Sequence, residues 1–566
     1  MKKTIYMLLG LLLAAGLTSC QDWFIEKPEV TGMDQDEVFS TAKNAEGAIA
    51  EAYATILSSG LPVLVWNNSP IMPYETTEAI MGGEDLCRLT WGYMDKQVVA
   101  GMLANNENNG AGYTDDYFPN NYAYIRKAWL VYENIDKVAD MSDRDKAIVK
   151  AEMQVLVAFR YVEMLKRYGG VPLVESTLTT VDVRPRSTVQ QTLDFIVGLC
   201  DAAAATLEGV RWPADWLGRV NKGVALAVKA EALMYAARPL FNADAPYMQM
   251  ADPANNEMIW LGGYDAKRWE TARLANQEVI DWGKANGFEL IDTGDPIKDY
   301  GTAVGTPSNR EVLLAYKQQR EADDNGIYKN YTFMPTHTGH DLGQYRGTGY
   351  GQLCQYRKAD GTDQTWAGVD DWRPAGEYRD KAEELEPRAQ ASLYFYGVNP
   401  KNNTGNSRWD LYQNWQLEYK WQDGCAKNIK FWYEAGSREW FEFPIYRMAE
   451  FYLNIAEAYN EEGNPTMALR YLNDIRRRGG IPDETQTDRV GLRRSNGPWN
   501  STWRTSGIPT PATGSRGRRW SAGPSTSSSS RRPPACRGTP ANPRSSPITR
   551  ASPPMSPNTR GTSACP

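Results

Sequence analysis

The stretch from Pro444 to Pro482, PIYRMAEFYLNIAEAYNEEGNPTMALRYLNDIRRRGGIP, has the most regular pattern of apolar residues in the chain. From residue 445 to residue 459, apolar side chains recur at spacings of three and four, which places them on one face of an α-helix. The sequence Gly463-Asn464-Pro465 interrupts this pattern, and a second helical period follows until Gly479-Gly480. The stretch therefore predicts two amphipathic helices joined by a short turn.

Small residues on both predicted helices would let the two helices approach closely. They are Ala449, Ala456, Ala458 and Ala468. Close approach is the physical requirement of a tetratricopeptide-type helix pair. The residues alone leave open an ordinary antiparallel hairpin of any all-α protein.

The same periodicity recurs along the chain and predicts a mostly α-helical scaffold. Further helices are expected at residues 42–57, 122–139, 144–168, 188–207, 221–236 and 269–282. Residues 61–112 are instead rich in Gly, Asn and aromatic residues, and residues 292–443 also lack strong helical signals. Long loops of this kind are usually functional, so we expect irregular ligand-binding loops, with a few short strands, over the helical scaffold.

The net charge differs sharply between two segments of the chain. Residues 494–566 contain 11 Arg and no Lys, Asp or Glu. Because the whole chain has a formal net charge of −7, the residues before this segment carry −18. An acidic body disfavours nucleic acids and other anionic ligands and suits neutral ones.

The N-terminus has the pattern of an export signal. Lys2-Lys3 precedes an apolar stretch, Ile5 to Leu17, that is too short to remain as a membrane span. The sequence Leu17-Thr18-Ser19-Cys20 resembles the lipobox of bacterial lipoproteins, which implies that Cys20 is lipidated and that export can continue to an outer membrane. An ordinary secretory signal would leave Cys20 unexplained. We therefore predict a signal peptide at 1–19 and a lipidated tether at 20–41, because each acyl methylene buried in a bilayer contributes about 0.8 kcal/mol.

Two motifs together resemble the SusD/RagB family of outer-membrane nutrient-binding lipoproteins. The first is a long helix containing Phe159-Arg160-Tyr161 that runs into Tyr168-Gly169-Gly170-Val171-Pro172-Leu173-Val174. The second is the pair of segments Arg447 to Ala458 and Leu472 to Gly480. The resemblance covers residues 1 to about 490 and implies a SusD-like helical-repeat domain over 42–493.

The resemblance also implies a function and partners. Family members bind glycans at the cell surface, without catalysis, and pass them to a TonB-dependent SusC-like transporter in the outer membrane. The resemblance further implies that the ligand site is formed by residues of the N-terminal loop, 61–112, and of the later irregular region, 292–443.

Candidate ligand-binding residues follow from the chemistry of sugars. A sugar ring stacks its C–H face on Trp or Tyr, and its hydroxyl groups need amide or carboxylate partners. The N-terminal loop offers this mixture in Trp66, Asn67, Asn68, Tyr74 and Trp91, and the later region adds Tyr300, Trp366 and Trp372. For each aromatic residue, a place in the core of a loop is an equal alternative.

Other chemistry has weaker support in the sequence. A surface glycoside hydrolase would need two carboxyl groups about 5–10 Å apart, for which the candidates are Glu75, Glu78, Glu84 and Asp85. A peptide-binding member of the same family is a further alternative. His337 and His340 lack the additional ligands of a metal site. The segments Asp292–Asp295 and Asp360–Asp363 would hold structural Ca²⁺ only with further ligands, and Asx turns explain them better.

Residues 494–566 do not resemble a folded segment. They contain no Leu, Val, Phe or Tyr and are dense in Pro, Ser, Arg and Gly, so we expect them to be disordered. A natural basic tail is one interpretation, but rebuilding codons one base out of register permits Arg-Tyr-x-Asp-x-Arg-x-Trp, a pattern that the SusD/RagB family shows after its helix hairpin. We therefore hypothesise the loss of one base near residues 488–494. Re-sequencing the gene tests this, and an intact reading frame would refute it.

Overall fold

The computed structural model describes residues 35–58, 87–89, 118–178, 183–213, 216–319, 346–348, 353–354, 356–366, 375–395, 426–428 and 440–487. Within these ranges the chain forms twelve α-helices and six β-strands. The helices are α1 (Gln35–Val38), α2 (Ala42–Ser58), α3 (Phe118–Asn134), α4 (Asp143–Tyr168), α5 (Val189–Thr206), α6 (Lys222–Ala237), α7 (Lys267–Ala285), α8 (Pro296–Gly305), α9 (Ala375–Glu383), α10 (Pro387–Ser392), α11 (Met448–Glu461) and α12 (Pro465–Arg478). The strands are β1 (Cys87–Leu89), β2 (Val312–Gln319), β3 (Arg346–Thr348), β4 (Leu393–Phe395), β5 (Ala426–Asn428) and β6 (Trp440–Arg447).

The longer helices pack on one another in the order in which they occur in the chain. α2 contacts α3, α3 contacts α4, and the series continues through α5 and α6 to α7. α7 then contacts α11, which contacts α12. The result is four consecutive helix pairs, the arrangement of a tetratricopeptide-like scaffold. The predicted fold class, mostly α with a few short strands, is confirmed.

Small side chains allow the central helix α6 to pack between α5 and α7. Ala225, Ala227 and Ala230 are fully buried, so α6 has apolar residues on all sides and not on one stripe. A Cβ atom built on Gly223 would lie 2.0 Å from the ring of Trp282, so only glycine fits against that ring. None of the helices in the described ranges is both long and apolar enough to cross a membrane.

Side-chain caps explain why several helices begin where the sequence predicts. Ser142 Oγ accepts a hydrogen bond from the backbone N–H of Asp145 at 3.1 Å at the start of α4. Thr188 and Gln191 form a reciprocal capping box at the start of α5. The Asn221 side chain accepts a hydrogen bond from the backbone N–H of Val224 at the start of α6. Each such cap contributes about 1 kcal/mol to stability. The helix predicted at 122–139 is shifted, since α3 spans 118–134.

The C-terminal hairpin begins three residues later than predicted. Ile445 and Tyr446 belong to β6, which pairs antiparallel with β2, and helix α11 begins only at Met448. Both side chains are buried from the strand. Apolar residues at the first positions of a helical period fit a helix or a strand equally well. Here β2 supplies backbone hydrogen-bond partners, and these residues therefore form a strand.

The region from 292 to 443 contains more regular structure than its composition indicated. α8 and α10 both begin with proline at the first helical position, after the N-cap residues Asp295 and Glu386. β2 runs through the same region and pairs with β6. The two helices are short, so their helical period is too brief to stand out in the sequence, and β2 has no helical period because it is a strand.

A charged cluster is buried where α4, α6 and β6 meet. Lys166 Nζ lies 2.6 Å from Glu163 Oε1 and 2.5 Å from Glu231 Oε1, and all three residues are at most 2% exposed. Tyr446 donates its hydroxyl proton to Glu231. Burial alone would raise the pKa of Glu163, but the neighbouring Lys166 and Arg167 lower that pKa to about 2. The cluster therefore stays charged and ties β6 to the helical scaffold.

Candidate ligand-binding site

A four-stranded sheet joins the two regions from which the candidate site residues were drawn. β1 pairs antiparallel with β3, with Cys87 opposite Thr348 and Leu89 opposite Arg346. β3 also pairs with β5, and β5 pairs with β4, which gives the strand order β1-β3-β5-β4. β1 lies within the segment 61–112, whereas the other three strands lie within 292–443. The pairing therefore brings these two segments together.

Strand β4 attaches this sheet to a small apolar core. Leu393 and Phe395 are 2% and 1% exposed, and they pack with Leu353, Tyr356 and Leu385. This core anchors one edge of the sheet on the segment that contains α9 and α10.

The candidate residue Trp366 lies against the same small core. Its ring is half-buried, with its centroid 5.9 Å from that of Tyr378. The indole N–H of Trp366 is buried and has no acceptor within the part of the chain that the structure describes. Because an indole nitrogen can only donate and this one is closed to solvent, a buried water would complete its hydrogen bonding.

The candidate residue Tyr300 is instead an interior residue. It lies on α8, is 4% exposed, and has the guanidinium groups of Arg447 and Arg478 at 5.9 Å and 5.8 Å from its ring centroid. Arg478 Nη1 lies 2.9 Å from Glu311 Oε2, and Arg447 binds the other carboxylate oxygen. In this position Tyr300 supports the contact between α8, the β2–β6 sheet and α12, and its ring is not available to an external ligand. The sequence could not show this, because Tyr300 stands in a region without a clear period.

The remaining candidates lie outside the described residues. They are Cys20, Trp66, Asn67, Asn68, Tyr74, Trp91 and Trp372, together with Glu75, Glu78, Glu84, Asp85, His337 and His340.

The segments considered for calcium serve as a turn and a helix cap. Asp360 Oδ1 accepts from the backbone N–H of Thr362 at 2.9 Å and from its hydroxyl group at 2.6 Å. Asp295 Oδ1 accepts from the backbone N–H of Lys298 at 3.2 Å, at the start of α8. Across the described ranges, no three His, Cys, Asp or Glu side chains are placed to hold a metal ion.

A buried polar network that no sequence pattern indicated fixes the end of α2 to the scaffold. Glu152 on α4 accepts hydrogen bonds from Arg219 Nε at 2.7 Å and from the Tyr53 hydroxyl group at 2.6 Å. Burial raises the pKa of Tyr53 well above its ordinary value, so this hydroxyl group keeps its proton. Its oxygen in turn accepts from the backbone N–H of Val220 at 2.9 Å. The network ties α2, which ends at Ser58, to the segment that precedes α6.

No local pattern marks these residues in the sequence. Glu152 and Arg219 are far apart in the chain, and a charged residue in a helix or loop is most often solvated. Only the tertiary packing shows that they meet.

Four stacked helix pairs with a sheet built from the intervening loops define a tetratricopeptide-like protein of the SusD type. A family model described as the SusD family matches residues 310–491, and a second model, described as starch-binding associating with outer membrane, matches residues 90–231. The chain belongs to the SusD/RagB family, as its motifs predicted. The first match ends at residue 491, within residues 488–494, where we hypothesise the loss of one base.

Solved structures share this fold at low sequence identity. A SusD-like protein from Bacteroides fragilis NCTC 9343 is 21% identical, with a TM-score of 0.61 over 84% of this chain and 86% of that chain. A SusD-like carbohydrate binding protein from the same organism is 17% identical, with a TM-score of 0.57 over 83% and 85% of the two chains. Another SusD-like carbohydrate binding protein, from Bacteroides vulgatus ATCC 8482, is 15% identical, with a TM-score of 0.54 over 83% and 82%. No protein with a curated description is similar enough to match.

Proposed function

We propose that this protein binds oligosaccharides or polysaccharides at the outer-membrane surface, without catalysis, and delivers them to a TonB-dependent SusC-like transporter. The observation that carries the proposal is the β1–β3 pairing, which joins two aromatic-rich segments on a SusD-type scaffold. Two of the similar solved structures are themselves described as carbohydrate binding proteins, which supports the ligand class.

The proposed mechanism is stacking combined with directed hydrogen bonds. Trp and Tyr rings would take up the apolar faces of sugar rings, and the side-chain amides of residues such as Asn67 and Asn68 would bind their oxygen atoms. Because the sheet already joins the two segments, less ordering is needed when the ligand binds. Each contact has modest affinity, and confinement beside the transporter raises the effective concentration of the ligand there.

We place the protein at the membrane through a lipid on Cys20. This part of the proposal rests on the lipobox-like sequence before Cys20 and on the family's association with the outer membrane. Replacement of Cys20 by alanine is expected to move the protein from the membrane fraction to the soluble fraction and to abolish incorporation of labelled palmitate. Palmitate labelling that persists in the Cys20→Ala variant would contradict this anchor.

Affinity electrophoresis against a panel of polysaccharides tests the binding function. We expect at least one polysaccharide to retard the parent protein, and we expect Trp66→Ala and Trp91→Ala to weaken this retardation by about 3- to 10-fold in Kd, since an aromatic contact contributes about 0.5–1.5 kcal/mol. Tyr247→Ala is the control, because Tyr247 is 63% exposed and lies in the loop that follows α6.

Three outcomes would count against the proposal. Retardation by none of the polysaccharides, together with binding of oligopeptides, would favour a peptide-binding member of the family. Release of shorter sugars during incubation would favour a glycoside hydrolase. Equal retardation of the two Trp variants and the parent would remove Trp66 and Trp91 from the site.

A further inference from the structure

The segment between α5 and α6 carries a rigid stack of two indole rings around one guanidinium group. The Arg219 guanidinium carbon lies 4.1 Å from the ring centroid of Trp212 and 4.9 Å from that of Trp216. The same guanidinium group is bound to the fully buried carboxylate of Glu152. Arg219 therefore cannot rotate away without breaking a buried ion pair, and both rings are held in place.

Backbone hydrogen bonds fix the stack further. The indole N–H of Trp212 donates to the carbonyl oxygen of Val220 at 2.9 Å. The backbone N–H of Trp216 donates to the carbonyl oxygen of Pro213 at 2.9 Å. Trp216 thus starts from an ordered position and loses little conformational freedom when a ligand binds to it.

Trp216 is nevertheless open to solvent. It is 37% exposed, and the adjacent Leu217 is 48% exposed. Arg219 lies over the indole ring, and the exposed part of the residue is open to a ligand. An ordered, partly exposed indole with a cation behind it is a preformed contact surface.

The stack lies where both predicted ligand-binding segments leave the scaffold. Tyr53, one turn before the end of α2, accepts from the backbone N–H of Val220. On the other side, a Cβ atom on Gly218 would lie 2.4 Å from Lys317 Cε, so the Lys317 side chain crosses directly over this turn. Lys317 belongs to β2, whose last residue, Gln319, precedes the later part of the irregular region.

The size and chemistry of this surface fit a sugar ring better than a protein. A specific protein–protein interface buries about 800 Å² on each partner, far more than one indole and one leucine provide. A single flat ring matches one pyranose face, and the ammonium group of Lys317, 2.7 Å from Glu442, places charged hydrogen-bonding groups beside the turn. The acidic body of the chain likewise suits a neutral ligand.

We propose that Trp216 is a stacking platform for one sugar unit of the bound glycan. This inference rests on the proposed function and adds a residue outside the segments from which the site was first drawn. The ring of Trp216 contacts the apolar face of the sugar, and Arg219 and Glu152 act behind it as positioning residues.

The test uses the full-length protein and a polysaccharide that retards it in affinity electrophoresis. Trp216→Ala is expected to raise Kd by about 3- to 10-fold. Trp216→Met, which keeps an apolar side chain against Arg219 but removes the flat ring, is expected to weaken binding as much, whereas Trp216→Phe is expected to retain most of the affinity. Tyr264→Ala is the matched control, because Tyr264 is 51% exposed and lies in the loop before α7.

The outcomes separate this inference from the proposed function. If the parent is retarded and both Trp216→Ala and Trp216→Met bind as tightly as the parent, Trp216 is not a contact residue, although the protein still binds glycans. If no polysaccharide retards the parent, the proposed function fails and this inference fails with it. The alanine variant alone would be ambiguous if it misfolded. Trp216→Met removes this ambiguity: if its thermal melt equals that of the parent, its loss of affinity is due to the missing ring.

Discussion

Replacement of Lys166 by methionine is expected to lower the free energy of unfolding by about 3–5 kcal/mol. Methionine keeps most of the length and volume of the side chain but removes its charge. Glu163 and Glu231, both at most 2% exposed, would then lose the ammonium group that lies 2.6 Å and 2.5 Å from them. Glu163 keeps the guanidinium group of Arg167 at 2.8 Å, so most of the cost falls on Glu231, a buried carboxylate that loses the cation compensating for its desolvation. Urea unfolding at pH 7, followed by circular dichroism, measures the change.

The control for this prediction is Lys229→Met. Lys229 Nζ lies 2.6 Å from Asp201, whose side chain is 53% exposed, and a solvated pair of this kind contributes about 0–1 kcal/mol. If Lys166→Met and Lys229→Met lowered the free energy of unfolding equally, burial of the ion pair would not increase its contribution to stability, and the prediction would be refuted. Adding Glu231→Gln to Lys166→Met is expected to recover part of the loss, because the buried charge that lost its ammonium partner is then gone.

The choice of pH follows from the pKa of Glu163. Burial by itself would raise that pKa, but Lys166 and Arg167 lower it from 4.5 to about 2. A lowered folded-state pKa means that the stabilising contribution is complete above pH 4.5 and is lost as the pH falls towards 2. At pH 7 the ionised Glu163 therefore makes its full contribution to stability. The difference in the free energy of unfolding between parent and variant is largest there.

The sequence predicted the helical scaffold well because its signals are local. The apolar periods of α4 and α5, the cap residues Ser142 and Thr188, and the Gly463-Asn464-Pro465 break all act within a few residues of the structure that they specify. The strand at 440–447 was missed because its backbone partner, β2, is distant in the chain. A strand of this kind is decided by pairing and not by its own pattern.

The candidate site was less predictable because it depends on contacts between distant segments. β1, β3, β4 and β5 have three residues each, too few to show an alternation of apolar and polar side chains. Tyr300 and Trp366 both stand in the region from 292 to 443 that lacks a clear period, yet one is buried against two arginines and the other is half-buried on a small core. The Trp216 surface was not predicted at all, since its order depends on Glu152 from another helix.

Replacement of Gly170 by alanine is expected to lower the free energy of unfolding by about 3 kcal/mol, at the upper end of the usual cost of overpacking. A Cβ atom on Gly170 would lie 2.0 Å from the carbonyl oxygen of Ser187 and 2.6 Å from the carbonyl carbon of Thr188. Both atoms belong to the backbone, so no side chain can rotate away to relieve the clash. The backbone N–H of Gly170 also donates to the carbonyl oxygen of Met258 at 2.7 Å, which prevents the residue from withdrawing. Urea unfolding of the purified variant measures the loss.

The matched control is Gly198→Ala on α5. Gly198 lies in the middle of the helix on its exposed side, and no atom lies within 4 Å of the position of a new Cβ. Because alanine loses less backbone entropy than glycine in a helix, we expect this change to stabilise the protein by about 0.5–1 kcal/mol. The two glycine variants should therefore shift stability in opposite directions, although both add one methyl group. A Gly170→Ala variant as stable as the parent would show that the backbone at Ser187 can move. The Tyr168–Val174 motif would then need an explanation other than close backbone packing.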